Sequence, residues 1–526
     1  MGLCSSHSKA HRKFAEAPVP KPQTRESTAA PEDGSQSEPS EDEEAGTKSR
    51  WADVSTEFSS RINNLILHST GNIKQFYDLQ SEKLGEGGFG FVVEAKNFGT
   101  GNRYAVKKVS KAKAKQKRLE IRSEIDIMKL TDHPNVVKLH ETFEDKSQMY
   151  LVMELCAGGD LDKHMKGQGG PYSEHQAAIL MDQILKAVSY LHNCKSICHR
   201  DLKLQNFLFS RKAPVENNLL KLADFGLACG FEPGGVLATK AGTVSYCSPQ
   251  VLGGVYDNSA DLWSCGVIMY MLLAAQPPFP GKNDAEVVQR VRKGNYVFND
   301  IAWSTVSEEA KSLVRRLLKY QPFDRATAVQ ARAHSWFHCA APSLRCAVPV
   351  QPSVVSDVLR FSRMTTFQRA ALRAVAMQLN QEAVDSCSRD FAALDYKGMS
   401  LLSLNDLEEL SEMPDLEPFR HQLQEVVGIL SSRPPDDSNI SFNDFMGATL
   451  QQDQCQDGML RAAFRIFDQD ADGYISAQDI GRVFGRSSHG AGAEVVSAIL
   501  AEASMGTSEP LRYQDFVTYV SRALNT

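Results

Sequence analysis

No apolar run in this 526-residue chain is long enough to cross a bilayer. The longest, CGVIMYMLLAA at 265–275, falls well short of the roughly 20 residues a membrane helix needs, and reads as a buried core helix. No CxxC pair occurs among the 11 cysteines, and the closest two, Cys194 and Cys198, lack neighbours at zinc-ligand spacing. No secretory leader is recognised, so the thiols are expected to be reduced in a cytoplasmic chain. Strong charge of either sign is missing too. A net charge of -6 argues neither for nor against nucleic acid, and none is expected as a partner.

What is present is ordinary for a folded chain of several domains. Apolar residues make up 42% and charged residues 23%. Residues 1–75 are expected to be a disordered tail, its first 50 residues rich in Ser, Pro, Glu and Lys, with an acidic stretch EDGSQSEPSEDEE at 32–44. A globular region follows at 76–337, with strand patterns such as YLVMEL early and helical patterns such as HQAAILMDQILKAVSYLHN later. A Pro-rich joint, APSLRCAVPVQP, opens a junction at 338–379. The remainder, 380–526, is helical, and four similar endings recur in it: LLSLNDL, NISFNDF, YISAQDI and PLRYQDF.

Phosphate chemistry is written into the globular region. LGEGGFGFVV at 84–93 places Gly85, Gly87 and Gly90 in a GxGxxG pattern. The pattern alone also fits a plain tight hairpin. Here it runs into strand-like sequence, where glycines let backbone N–H groups fold over phosphates without obstruction. Lys107, on the next strand, can carry a point charge to a diphosphate, and Glu124 can pair with it. In HRDLKLQN, Asp201 can accept a hydroxyl proton and Asn206 can hold a metal; Asp224 of DFG can bind Mg²⁺.

In that order and spacing these motifs resemble the protein kinase catalytic domain. The resemblance implies an α+β fold of two lobes with ATP between them. It implies Leu84, Gly85, Gly87, Gly90, Val92, Lys107 and Glu124 around the nucleotide, with Met153, Glu154 and Cys156 at the back of the adenine pocket and the hinge. It implies Asp201, Lys203 and Asn206 as catalytic residues, Asn206 and Asp224 as Mg²⁺ ligands, and serine or threonine in protein substrates as acceptor, since Lys203 follows the serine/threonine pattern. Three departures stand out. Ser248-Pro249-Gln250 replaces the usual APE, whose glutamate would pair with Arg325. Breaking such a buried pair costs roughly 3–5 kcal/mol, but Gln250 can still accept a hydrogen bond, so a smaller loss is expected. Gln205 and Asp160 stand where glutamates favour basic substrates, which weakens that preference.

The last third carries FDQDADGYISAQD. A calcium loop needs oxygens at positions 1, 3, 5, 7, 9 and 12 and a glycine at 6. Asp468, Asp470, Asp472, the Tyr474 carbonyl, Ser476 and Asp479 supply them around Gly473, and the unit spans 455–490. Asp479 is one methylene shorter than the usual glutamate, which predicts weaker Ca²⁺ affinity. Counting back from the other endings gives Asp395, Lys397 and Met399; Arg433, Pro435 and Asp437; and Ser504, Gly506 and Ser508. Cationic or apolar groups at ligand positions cannot serve a hard cation, so these units are expected to be kept for folding.

A kinase domain, a junction and four such units resemble the calcium-dependent protein kinases of plants and protists. The resemblance implies an all-α, calmodulin-like module after the kinase, and a junction helix that restrains the kinase until calcium acts. RFSRMTTFQRAALRAVAMQL at 360–379 occupies that position, with Phe361, Met364, Phe367, Ala371, Leu372 and Val375 near helical spacing and Arg360, Arg363, Arg369 and Arg373 beside them. The start MGLCSS fits N-myristoylation at Gly2 and palmitoylation at Cys4, next to a small basic patch, so a peripheral membrane association is expected. A monomer is expected. Two alternatives remain open: a membrane-anchored kinase whose module no longer senses calcium, and a non-catalytic calcium-binding scaffold.

Overall fold

The computed structural model describes residues 65–87, 90–114, 118–298, 301–344, 350–434, 437–484, 491–503 and 509–525. Gly2, Cys4 and the acidic stretch at 32–44 lie outside them.

Alternation of apolar and polar residues builds the first layer. Strands β1 (Leu67–Thr70), β2 (Tyr77–Gly87), β3 (Gly90–Asn97), β4 (Arg103–Ser110), β5 (Leu139–Glu144) and β6 (Gln148–Glu154) form one sheet in the order β1-β5-β6-β4-β3-β2. Val93, Ala95, Tyr104, Val106, Phe143 and Val152 bury one face. The expected tail boundary at 75 needs correction. Leu65 and Ile73 are buried, and β1 pairs in parallel with β5, Leu67 opposite Glu141, so ordered chain begins earlier. The apolar run Leu65-Ile66-Leu67 is short, and the partners of β1 lie some seventy positions away, which is why composition did not reveal it.

The second lobe is helical. Helix α1 (Arg118–Leu130) carries Glu124 toward the sheet. Helix α2 (Glu174–Ser189) starts at Ser173, whose hydroxyl accepts the Gln176 N–H, and helix α3 (Ser259–Ala274) contains the apolar run noted above. Cys265, Val267, Ile268, Met269, Leu272 and Leu273 are buried in α3, as expected for a core helix. No helix among the described residues is long and apolar enough to cross a membrane.

The junction is two helices, not one: α4 (Pro352–Arg363) and α5 (Thr366–Ala376). Thr365 and Gln368 form a capping box that starts α5 afresh, and Met364 is extended. Four helix–loop–helix units follow: α6 (Gln381–Leu394) with α7 (Leu404–Ser411), α8 (Arg420–Ser431) with α9 (Phe442–Ala448), α10 (Asp457–Phe467) with α11 (Ala477–Val483), and α12 (Ala491–Ala503) with α13 (Tyr513–Asn525). They pair through two-residue strands, Leu401–Leu402 with Ile440–Ser441 and Tyr474–Ile475 with Leu511–Arg512. The recurring sequence endings have a local cause. Ser403 with Asp406, Ser441 with Asp444, and Ser476 with Asp479 are capping boxes at the start of α7, α9 and α11.

The module has its own core and rests on the kinase region. Phe367, Leu372 and Val375 of α5 sit in that core, and Leu65 joins it. Arg465 of α10 donates to Glu141 of β5 at 2.5 Å and lies over the Phe76 ring at 4.1 Å. Asn102 Nδ2 donates to the Gln378 carbonyl at 2.7 Å, and the Asn443 N–H donates to Asp132 at 3.0 Å. At the α10 start, a Cβ on Gly458 would lie 2.1 Å from the Gly99 carbonyl, so only glycine fits there.

Candidate functional site

The catalytic cleft lies between the sheet and the helical lobe. Gly87 pairs with Gly90 across the β2–β3 hairpin, whose tip at 88–89 lies outside the described residues. A Cβ on Gly90 would meet the Lys108 carbonyl at 1.7 Å, so this close approach of two strands requires glycine. Leu84 is exposed and Val92 half-buried on the flanking strands. Lys107 of β4 forms an ion pair with buried Glu124 of α1, and its Nζ is 3.8 Å from Asp224 Oδ1. Burial alone would lower the Lys107 pKa; Glu124 and Asp224 outweigh it and raise it. Burial likewise pushes Asp224 up, but Lys107, His199 and Lys203 together hold its carboxyl below the usual range.

Asp201 is buried, and both its oxygens are engaged. Lys203 donates to Oδ2 at 2.6 Å and Thr243 to Oδ1 at 2.8 Å. Asn206 Nδ2 donates to the Asp201 carbonyl at 2.8 Å, which leaves Asn206 Oδ1 available to a cation. Asp224 and Arg200 both take positive φ, 64° and 66°. Such backbone strain persists only where neighbours impose it. For Arg200 the restraint is Asp261 of α3, whose carboxylate accepts the His199 and Arg200 N–H groups at 2.8 and 2.9 Å and His192 Nε2 at 2.8 Å. Sequence reading passed over Asp261, Thr243 and His192, because each acts across tens of residues.

At the hinge, Met153 packs partly buried against the helical core. Cys156 is half-buried, and burial pushes its thiol up. The Glu154 carboxylate is turned away from nucleotide chemistry: it pairs with buried Lys221 and accepts the Lys138 N–H at 3.3 Å. What the hinge offers a ligand is therefore backbone. Gln250 preserves the contact that its glutamate counterpart would make, accepting from Arg325 at 3.1 Å while donating to the Tyr320 carbonyl at 2.6 Å. Arg325 also donates to the Ser259 carbonyl at 2.7 Å and lies over Trp263, so its charge is spread over several partners.

The second site is the loop after α10. One carboxylate oxygen from each of Asp468, Asp470 and Asp472 lies within 4.8 Å of the others. Gly473 takes φ 89°, and Tyr474 begins the short strand that pairs with Arg512. Asp468 accepts the Asp472 and Gly473 N–H groups at 3.1 Å each, which closes the turn. Ser476 and Asp479 are held in their capping box, where Asp479 Oδ2 accepts the Ser476 hydroxyl at 2.6 Å. Asp479 Oδ1 is buried and accepts no hydrogen bond, with Arg482 Nη1 at 3.6 Å. Clustered carboxylates, the glycine turn and this unsatisfied oxygen fit a hard divalent cation.

The first unit contributes a carboxylate under strain of another kind. Asp395 accepts the Met399 and Ser400 N–H groups at 2.8 Å each, yet burial pushes its carboxyl up to about 6 from 3.8. A raised folded-state pKa stabilises the protein below the unfolded value, and that contribution is lost as pH rises through about 6. Relative to Asp395→Asn, the native chain is expected to lose about 2–3 kcal/mol between pH 4 and 7. Paired melting curves at the two pH values check this; a constant difference would contradict it.

The protein kinase domain family matches residues 79–337, and the EF-hand domain family matches 459–490. The chain is 38% identical over 430 residues to calcium-dependent protein kinase 3 of Plasmodium berghei, covering 81% of this chain and 75% of that one. It is 32% identical over 464 residues to calcium-dependent protein kinase 5 of Plasmodium falciparum, covering 87% and 80%. It is 33% identical over 453 residues to calcium-dependent protein kinase 21 of Arabidopsis thaliana, covering 85% and 82%. The chain belongs to the calcium-dependent protein kinase family, as a serine/threonine kinase joined to a C-terminal EF-hand module.

Proposed function

We propose that phosphoryl transfer to serine or threonine in protein substrates runs through Asp201, Lys203, Asn206, Lys107, Glu124 and Asp224, under control of a single Ca²⁺ site at 468–479. The assembled Lys107–Glu124 pair beside Asp224 supports the first half. In this reading ATP lies under the β2–β3 hairpin, where Lys107 balances phosphate charge and Glu124 fixes the lysine. Mg²⁺, held by Asn206 and Asp224, would neutralise the phosphates. Asp201 orients the substrate hydroxyl and takes its proton as the new O–P bond forms and the bond from the γ-phosphorus to the β–γ bridging oxygen breaks, ADP leaving, and Lys203 steadies Asp201 and the incoming phosphoryl group.

For the second half, the supporting observation is the aspartate cluster at 468, 470 and 472. Driving a switch from 1:99 to 99:1 takes about 10⁴-fold preference, about 5.5 kcal/mol. One loop shortened at Asp479 supplies on the order of 10²-fold, near 2.7 kcal/mol. Calorimetry is expected to count one Ca²⁺ per chain, and activity to rise partially and without cooperativity. Asp468→Ala is expected to abolish that rise. A steep response with several bound ions would overturn the single-site reading; activity indifferent to calcium in both proteins would favour a calcium-blind module. The same assay on a chain ending before Val354 tests restraint by the junction, since equal activity in EGTA would remove it.

Gly2 and Cys4 are proposed to carry two acyl chains that place the monomeric kinase on the cytoplasmic membrane surface. The motif MGLCSS supports this, and two chains anchor where one binds marginally. Gly2→Ala is expected to move the protein into the soluble fraction; retention on membranes would argue against acylation.

A further inference from the structure

Two of the loops that lack calcium ligands hold cations of another kind. In the first unit, Lys397 stands third in the loop running from Asp395 to Asp406. Its Nζ is 2.6 Å from Asp406 Oδ1 and 3.0 Å from Glu409 Oε2. Asp406 occupies the twelfth position, so the ammonium meets the carboxylate that would close on an ion. In the second unit, running from Arg433 to Asp444, the loop's own Arg433 lies 3.9 Å from Asp437, and the closer cations come from the junction. Arg369 of α5 donates to both oxygens of Asp437 at 3.0 and 2.6 Å, and Arg373 pairs with Asp444. Asp437 and Asp444 stand at the fifth and twelfth loop positions. Both guanidinium side chains are buried, 6% and 8% exposed. Removing one member of such a pair leaves a buried charge uncompensated, which is what makes these contacts durable.

The other pair of units grips α5 differently. The Phe367 ring packs 5.2 Å from Phe467 and 5.3 Å from Tyr519. Thr365, which caps α5, hydrogen-bonds Glu502 of α12. Phe467 immediately precedes Asp468, so this apolar grip sits on the helix that enters the calcium loop. The ionic grip involves none of that loop's residues.

We infer that the second unit is a binding site for guanidinium groups, with the junction helix as resident ligand, and that it holds α5 whether or not calcium is bound, while the first unit fills its own loop with Lys397. Calcium then governs only the grip of the last two units, and whatever the junction does to the kinase it does together with the second unit. This rests on the reading that calcium acts at 468–479.

Hydrogen–deuterium exchange of the full-length chain, in calcium and in EGTA, decides between the possibilities. Amides at 366–376 and 440–448 are expected to keep their protection to within about threefold, while those at 457–483 exchange at least about tenfold faster in EGTA. A tenfold or greater acceleration at 366–376 in EGTA would overturn the inference. If no segment responds to calcium, control by the loop at 468–479 fails while the ionic hold stands. In EGTA, Asp437→Asn combined with Asp444→Asn is expected to speed exchange at 366–376 about tenfold, the equivalent of about 1.4 kcal/mol. Unchanged exchange in the double-asparagine protein would overturn the inference, and should that protein fail to fold, the native-chain comparison still decides.

Discussion

Asp201→Asn is expected to lower phosphoryl transfer by about 10²–10⁴-fold while leaving the fold intact. The amide is nearly the same size and still accepts one hydrogen bond, from Lys203 or from Thr243, which now hold the carboxylate at 2.6 and 2.8 Å. What it loses is the negative charge that attracts a substrate proton. Melting within about 1 kcal/mol of the native protein, together with lost turnover of a serine-containing peptide, is the expected pair of results. Turnover within tenfold of native would remove Asp201 from the proposed role.

Asp261→Ala is expected to act on stability first, lowering it by roughly 3–5 kcal/mol. The carboxylate is fully buried, and burial alone would raise its pKa; the hydrogen bond and charge of His192, with the His199 N–H, hold it below the usual range. Alanine leaves two backbone donors unpaired, and one belongs to Arg200, whose backbone is already strained at φ 66°. The catalytic loop then loses the contact that fixes Asp201 one residue further on. Urea unfolding measures the loss, and Asp261→Asn, which retains an acceptor, is expected to fall between. A loss under about 1 kcal/mol for alanine would show that the loop is held by other contacts.

The two residues mark a boundary in what sequence could reveal. Asp201, Lys107 and Asp224 stand in short runs whose chemistry is local, so they were legible one motif at a time. Asp261 was not, because its meaning lies in N–H groups some sixty positions earlier. The recurring endings of the module were visible as a faint repeat, yet their cause, serine–aspartate capping boxes, appeared only with the helices in place. The junction was read as one amphipathic run, although Thr365 and Gln368 already spelled a fresh helix start. Its arginines read only as a basic side. Arg369 and Arg373 are buried against two carboxylates of one degenerate loop, a pairing that no spacing rule encodes.

The close approach of Gly458 to Gly99 makes the two halves of this enzyme poorly interchangeable parts. A grafted calmodulin-like module with any residue but glycine at the start of its third unit would wedge that helix away from the sheet. The wedge would strain the Arg465–Glu141 contact two turns on and loosen the bearing between calcium sensor and kinase. Engineers who want a transplantable calcium-responsive kinase would therefore move the turn at 97–101 together with the module, treating the seam as one component.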